Sequence, residues 1–336
     1  MLLIDALYIN NGGGKVLLDY LVQKLVDHNV EAFYLFDERC LNDFEYIPSD
    51  QKEYLKASLS NRRTFYKNNF QKFTKVFCFG NLPPTLELNI PVYTYLQQTL
   101  YLDVPKEFSI SQKLLLKIKS LVFSKLLKNT SFLMVQSNLM KDGFLKKYKF
   151  NSNNVLILPF YPNEDLKDEE QNREIDSYIY VSAGSPHKNH LRLLNAFCKF
   201  YDETKRGKLY VTVDSDIFIS LGELIQQKIN QGYPIVNLGF IKREQLIEQY
   251  NKTEYLVFPS LEESFGLGIV EAIECGCKVI GANLPYMFQV CEPSITFDPL
   301  EENSIYLALV ESIKNNVHST QQIIKNEINQ LIKLLN

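Results

Sequence analysis

From Leu2 to Ala282 the chain alternates strand-length apolar runs with segments whose apolar residues recur at helical spacing. Leu2–Ile9 is apolar but for Asp5, and Val16–His28 then repeats its apolar residues at i, i+3 and i+4. Strand followed by helix, many times over, restricts the chain to an α/β fold with parallel sheets covered by helices. Further strands are expected at 31–36, 75–80, 91–96, 131–135 and 154–158, with helices over 110–127 and 138–147. A second series follows, with strands at 177–182, 208–213, 234–237, 254–258 and 277–281. Its helices are expected over 189–203, 217–229, 242–250 and 266–275. Good helix formers without an internal proline extend the helical expectation over 301–336.

The two series are separated by Pro162–Asp176, a polar, acidic stretch with the texture of a linker. The expected domains are therefore 1–162 and 177–315, with a helix at 316–336 returning to the N-terminal domain. A chain of 336 residues has room for two domains, and 46% hydrophobic residues supply their cores. A net charge of −3 argues against a nucleic-acid binder, which is usually basic. One segment departs from that average: residues 106–149 hold ten lysines against Glu107 and Asp142. No apolar run reaches the length of a membrane-spanning helix, and Met1–Asp5 reads as a strand rather than a secretory leader. Six cysteines without a CxxC pair fit a reduced, cytoplasmic compartment.

Open parallel sheets bind ligands beyond the carboxyl ends of their strands, so chemistry is sought at strand-to-helix junctions. The most specific junction is Phe258-Pro-Ser-Leu-Glu-Glu-Ser-Phe-Gly-Leu-Gly-Ile-Val-Glu-Ala272. Gly266 and Gly268 stand where a helix should begin, at a cost of about 1 kcal/mol each relative to alanine, which points to close backbone approach by a ligand. The helix N-terminus itself is an anion site. Glu263 and Glu271 bracket it, at most ~12 Å apart along the helix, about the reach from a ribose across a diphosphate to a sugar.

This E-x7-E segment, followed by Gly276 and Lys278-Val-Ile-Gly-Ala282, resembles the group 1 glycosyltransferases, glycosyltransferase family 4. Ser185-Pro-His-Lys-Asn-His190, Asn237–Leu246 and Thr296-Phe-Asp-Pro299 carry the likeness in the same order over 177–300. The resemblance implies the GT-B fold: two Rossmann-like doubly wound domains facing across a cleft, with a nucleotide-sugar donor on the C-terminal one. It implies that Glu271 accepts from the ribose hydroxyls and Glu263 holds the transferred sugar. Backbone N–H groups around Ser264, Phe265, Gly266 and Leu267 would meet sugar and phosphate, with Gly239 also in the donor site. Lys188 would face the diphosphate, making Glu263 and Lys188 the catalytic pair. Many members carry an arginine about five residues before this lysine; here the residue is Ala183.

In the N-terminal domain, Gly13 and Gly14 of Asn10-Asn-Gly-Gly-Gly-Lys15 correspond to a glycine-rich loop that faces the donor in the family. The stretch is neither a Walker A loop nor GxGxxG. Asn81, Gln97 and Gln98 follow apolar strands where an acceptor would sit, although relatives often carry a histidine near Gln97 and Gln98. The resemblance implies sugar transfer from a nucleotide diphosphate to a glycan or lipid-diphosphate-linked acceptor, with retention of configuration. Neither a cofactor nor a metal is expected. Asp214-Ser-Asp216 has the form of a metal–diphosphate motif, but capping of the next helix is the stronger reading. His187 and His190 read as capping or packing residues. Two other readings share the fold: a nucleotide-sugar epimerase, and a non-catalytic sugar-nucleotide-binding subunit. Finally, Gln112–Lys128 sets Lys113, Lys117, Lys119, Lys125 and Lys128 among large apolar residues. Part of its apolar side is expected to pack on the sheet, and its lysines to meet an anionic membrane at the inner face of the cell; an acceptor on a membrane lipid diphosphate, as in bacterial surface-polysaccharide assembly, would explain that placement.

Overall fold

The computed structural model describes residues 1–102, 109–163, 173–314 and 317–336. The chain divides into two compact units, Met1–Pro162 with Lys325–Asn336, and Asn163–Ile324. Most of the linker expected at Pro162–Asp176 lies outside the described residues.

The first unit is built on β1 (Leu2–Asp5), β2 (Ala32–Asp37), β3 (Lys52–Leu55), β4 (Lys75–Cys78), β5 (Val92–Tyr95), β6 (Phe132–Val135) and β7 (Val155–Ile157). All neighbours are parallel, in the order β3-β2-β1-β4-β5-β6-β7. Around the sheet lie α1 (Gly12–Asp27), α2 (Leu59–Asn69), α3 (Ile110–Leu126) and α4 (Asn138–Lys147). Central strands read as continuous apolar runs because both their faces are covered. Edge strand β3, Lys-Glu-Tyr-Leu, carries no such run, and α2 reads as polar, so periodicity alone finds neither.

A fully buried ion pair ties α2 to the sheet. Asp5 Oδ2 accepts from Arg62 Nε at 2.7 Å and from the Tyr66 hydroxyl at 2.5 Å. The rest of the guanidinium donates to the carbonyls of Leu82 and Pro83, fixing the loop after β4. Burying a guanidinium is tolerated when its donors find acceptors in this way.

The second unit repeats the design with β8 (Glu174–Tyr180), β9 (Lys208–Val211), β10 (Ile235–Asn237), β11 (Thr253–Phe258), β12 (Lys278–Ala282) and, after a short β13 (Cys291–Glu292), β14 (Ile295–Phe297). Its parallel order is β10-β9-β8-β11-β12-β14. Helices α5 (His190–Thr204), α6 (Ile219–Asn230), α7 (Arg243–Lys252), α8 (Leu267–Glu274), α9 (Met287–Val290) and α10 (Glu302–Ser312) complete it. In both units the order of strands reverses beside the first strand, the crevice where open α/β sheets bind ligands. That point falls between β1 and β4 in the first unit and between β8 and β11 in the second.

The last segment differs from the helix expected over 301–336. After α10 a short β15 (Gln321–Gln322) pairs with β13, and α11 (Ile328–Leu335) returns to the first unit. Thr320 ends the helical option, because its hydroxyl accepts from Val279 N at 2.7 Å and bonds Ser294 at 2.8 Å. In the first unit, α11 buries Leu331 and Leu335, and Lys75 Nζ donates to the Leu334 carbonyl at 2.7 Å.

Candidate functional site

Three loops meet at the carboxyl ends of β8, β11 and β14, and one side chain joins them. Asn189 is buried with a left-handed φ of 62°, a conformation asparagine tolerates better than most residues. Its Nδ2 donates to the carbonyls of Pro259 at 3.1 Å and Pro299 at 2.7 Å. Leu261 N donates to the His187 carbonyl at 2.8 Å, and the Tyr180 hydroxyl to the Lys188 carbonyl at 2.7 Å. The backbone under Lys188 is thereby locked to the loop carrying Glu263. Lys188 Nζ and Glu263 Oε1 lie 2.5 Å apart, each side chain largely buried.

Helix α8 starts directly after that loop. Its N-cap, Gly266, has a φ of 76°, and a Cβ there would meet Ile269 Cδ1 at 2.8 Å, so glycine is required by the backbone and by packing alike. Gly268 has an internal neighbour as well: a Cβ would lie 3.2 Å from the Tyr250 hydroxyl. No cap side chain occupies the start of α8, where N–H groups and the dipole favour an anion. Ser264 and Leu267 are half-buried beside it, and Phe265 is buried.

Glu271 lies one turn further along α8, buried, and Arg243 Nη1 donates to its Oε1. Arg243 opens α7, so this contact ties the loop after β10 to α8. In that loop Gly239 has a φ of 64°, with open space where a Cβ would be. Asn237 Oδ1 holds the loop by accepting from Gly239 N at 3.1 Å and Val213 N at 3.0 Å.

The remaining polar candidates resolve into supporting roles. Asp214 Oδ1 accepts from the N–H groups of Asp216 at 3.0 Å and Ile217 at 3.3 Å, the geometry of a turn cap. His190 is buried with its ring 4.7 Å from that of Tyr180, and neither ring nitrogen has a hydrogen-bond partner. Burial, reinforced by the Lys188 charge, pushes its pKa down to about 3, so the imidazole is neutral.

The first unit assembles its own cluster beside β1 and β4. Gly13 and Gly14 lie in the first turn of α1 rather than in a preceding loop, with Gly12 at a φ of 61°. Asn81, left-handed and buried, accepts through Oδ1 from Gln97 N at 2.6 Å and Gln98 N at 3.2 Å. Gln97 donates to the Phe79 carbonyl at 2.9 Å, and its Oε1 would lie 3.6 Å from a Cβ at position 14. Asn81 and Gln97 thus build the rim of the sheet, while Gln98 is exposed.

The sequence motifs include both Asn189 and Arg243 but give neither a role. A left-handed-tolerant asparagine before a helix is a recognisable cue. The Arg243–Glu271 contact depends on how α7 and α8 pack.

Residues 161–293 match the family model described as glycosyl transferases group 1. Over that stretch the C-terminal unit is similar to the group 1 glycosyltransferases. Lys188, Glu263 and Glu271 all lie within it. The O-antigen chain mannosyltransferase B of Escherichia coli is 29% identical over 143 residues, covering 41% of this chain and 36% of its own. The O-antigen chain mannosyltransferase RfbU of Salmonella typhimurium is 23% identical over 189 residues, 56% of this chain and 52% of its own. The chain therefore spans about a third to a half of the length of these curated relatives. Among solved structures, Anabaena HepE in complex with UDP and glucose aligns over 94% of this chain and 89% of its own, with a TM-score of 0.67 and 16% identity. WaaG, a glycosyltransferase involved in lipopolysaccharide biosynthesis, aligns over 93% and 90%, with a TM-score of 0.64 and 15% identity. Around that stretch the fold is that of GT-B glycosyltransferases.

Proposed function

We propose that this chain transfers a sugar from a nucleoside-diphosphate donor to a glycan or lipid-diphosphate-linked acceptor, retaining anomeric configuration, in bacterial surface-polysaccharide assembly. The observation that carries the proposal is the Lys188–Glu263 pair, held at the reversal point of the second sheet beside the start of α8. There the Lys188 ammonium is paired with the loop that leads into the start of α8, with Glu263 before that start and Glu271 a turn beyond it to serve hydroxyl groups.

The step breaks the bond between the sugar C1 and the diphosphate oxygen and forms one between C1 and an acceptor hydroxyl oxygen on the same face. The hydroxyl proton passes to the departing phosphate oxygen, so no protein base is needed. Charge grows on the diphosphate as the bond breaks. Lys188 and the α8 N–H groups stabilise it there, in place of a metal ion. Without a donor, Glu263 neutralises Lys188; with one, the carboxylate turns to the sugar hydroxyls. Glu271 holds the ribose, and the rim formed by Gln97 and Gln98 receives the acceptor.

The names of the curated relatives make mannosyl donors the first to try. The proposal includes a cytoplasmic enzyme in peripheral contact with an anionic membrane that presents the acceptor. A panel of nucleoside-diphosphate sugars tests the core of it by thermal shift, because a ligand stabilises by RT ln(1 + [L]/Kd). The donor that shifts Tm should then label a lipid-linked oligosaccharide. Binding without transfer to any acceptor would favour the non-catalytic reading, and interconversion of the donor sugar the epimerase reading.

A further inference from the structure

Helix α3 faces outward with its apolar side. Its start is fixed by a capping box between Ser109 and Gln112. Its inner side contributes Phe123, whose ring lies 5.1 Å from Tyr101 and 5.2 Å from Tyr148, and Ser120, bonded to the Tyr148 hydroxyl at 3.1 Å. Phe123 is the one residue within α3 that is fully buried. Leu116, Val122 and Leu126 are half-buried beside it, but the other large apolar residues are in water: Ile110 is 87% exposed, Leu114 59%, Leu115 53%, Ile118 51% and Leu121 57%.

Ile110, Leu114, Ile118 and Leu121 follow one another at spacings of four, four and three residues, which puts them on a single stripe. At about 100° per residue that stripe points away from Phe123. Lys113 and Lys117 border one side of it, exposed Leu115 and then Lys119 follow on the other, and Lys125 and Lys128 lie beyond its last turn. No aspartate or glutamate occurs from Ser109 to Lys128. The basic end of α4 lies alongside, with Lys147 Nζ 3.3 Å from Ser120 Oγ. Monomeric soluble proteins rarely leave so large a contiguous aliphatic surface exposed without a partner for it.

We propose that α3 is a bilayer-inserting helix, which lies in the interface of an anionic membrane with Leu114, Ile118 and Leu121 among the acyl chains. The flanking lysines choose the occupant: an aliphatic ridge edged by cations matches acyl chains beneath anionic headgroups, with the lysine stems reaching back to the phosphates. Among the described residues no helix is long and apolar enough to cross a membrane, so α3 lies along the surface. This deepens the membrane contact proposed above, from Coulombic attraction alone to apolar insertion. It stands on the surface of α3 and needs no sugar transfer.

The full chain contains no tryptophan, so Ile118→Trp introduces a single reporter. On vesicles of mixed phosphatidylcholine and phosphatidylglycerol, its emission should shift to the blue and be quenched by brominated acyl chains. On phosphatidylcholine alone at low salt, binding should be much weaker. Changing Leu114, Ile118 and Leu121 together to serine should cut partitioning by about 100-fold or more, with Tm unchanged because these side chains do not support the core. Lys117→Glu with Lys119→Glu should remove the preference for anionic vesicles. Wild-type binding by the serine variant, or a bound tryptophan that stays in water, overturns insertion. Self-association through α3 without vesicle binding overturns it in favour of a second copy of the chain. Sedimentation with vesicles reads no chemistry, so neither result touches the transferase proposal.

Discussion

Replacing Glu271 with alanine probes the donor site through one buried carboxylate. The side chain is 5% exposed on α8 and accepts from Arg243. On the proposed function it also accepts from ribose hydroxyls, and a hydrogen bond to a charged group contributes about 1.5–3 kcal/mol. At tenfold per ~1.4 kcal/mol, Glu271→Ala should raise the donor KM by about 10- to 150-fold. Because ribose is held alike before and during the reaction, kcat should change little. The loss of the ion pair is a separate effect. Arg243 is 28% exposed and regains water when its partner is removed. Its contribution to stability should be about 1 kcal/mol, or about 2–4 °C in Tm. Steady-state kinetics with the donor varied well below Tm isolates the first effect, and calorimetry the second. Arg243→Ala is the control: it should share the loss of Tm but keep most of the donor affinity. If the two variants shift KM equally, Glu271 serves only to place Arg243. A folded Glu271→Ala enzyme with wild-type KM would refute the ribose assignment outright.

Asn189→Ala should lose about 1–3 kcal/mol, since two buried carbonyls lose their donor and alanine resists a left-handed φ; Asn189→Gly should recover only the backbone part, and a glycine variant with wild-type Tm would show the bonds to be idle. His190 binds no proton in the folded protein until about pH 3, whereas the unfolded chain does so near 6.5. Its contribution to stability is therefore complete above about pH 6.5 and is lost at about 1.4 kcal/mol per unit as pH falls from there towards about 3; His190→Phe should flatten the slope of Tm against pH in that window, and parallel slopes would count against a buried neutral imidazole. Sugar transfer should persist in excess chelator, and loss restored by manganese would move the diphosphate to Asp214 and Asp216.

Most of both sheets was legible because a strand buried on two faces must be apolar throughout, while its covering helix must be apolar on one side only. Elements outside that rule escaped: β3 has an open edge, and α2 buries Arg62 where an apolar residue would announce a core position. The glycines at 266 and 268 illustrate a partial reading. Sequence pattern marks them as places where something comes close, but one of the close neighbours is the protein's own Tyr250. The end of the chain was misread as one helix because helix propensity is a local quantity. The Thr320 hydroxyl satisfies Val279 N across 41 residues, a long-range bond that propensity does not contain.

By itself the sequence determined the α/β class and pointed to the second unit's likeness to the group 1 glycosyltransferases and to Lys188, Glu263 and Glu271 as candidates, because motif spacing along a strand, turn and helix constrains which groups reach one end of a sheet. Only the tertiary structure decided what those groups do to one another: Lys188 paired with Glu263, Arg243 on Glu271, and Asn189 joining three loops. It also decided that α3 turns its aliphatic ridge outward. Amphipathic periodicity states that a helix has two sides; which side is covered depends on neighbours distant in the chain, here Tyr101 and Tyr148 closing over Phe123.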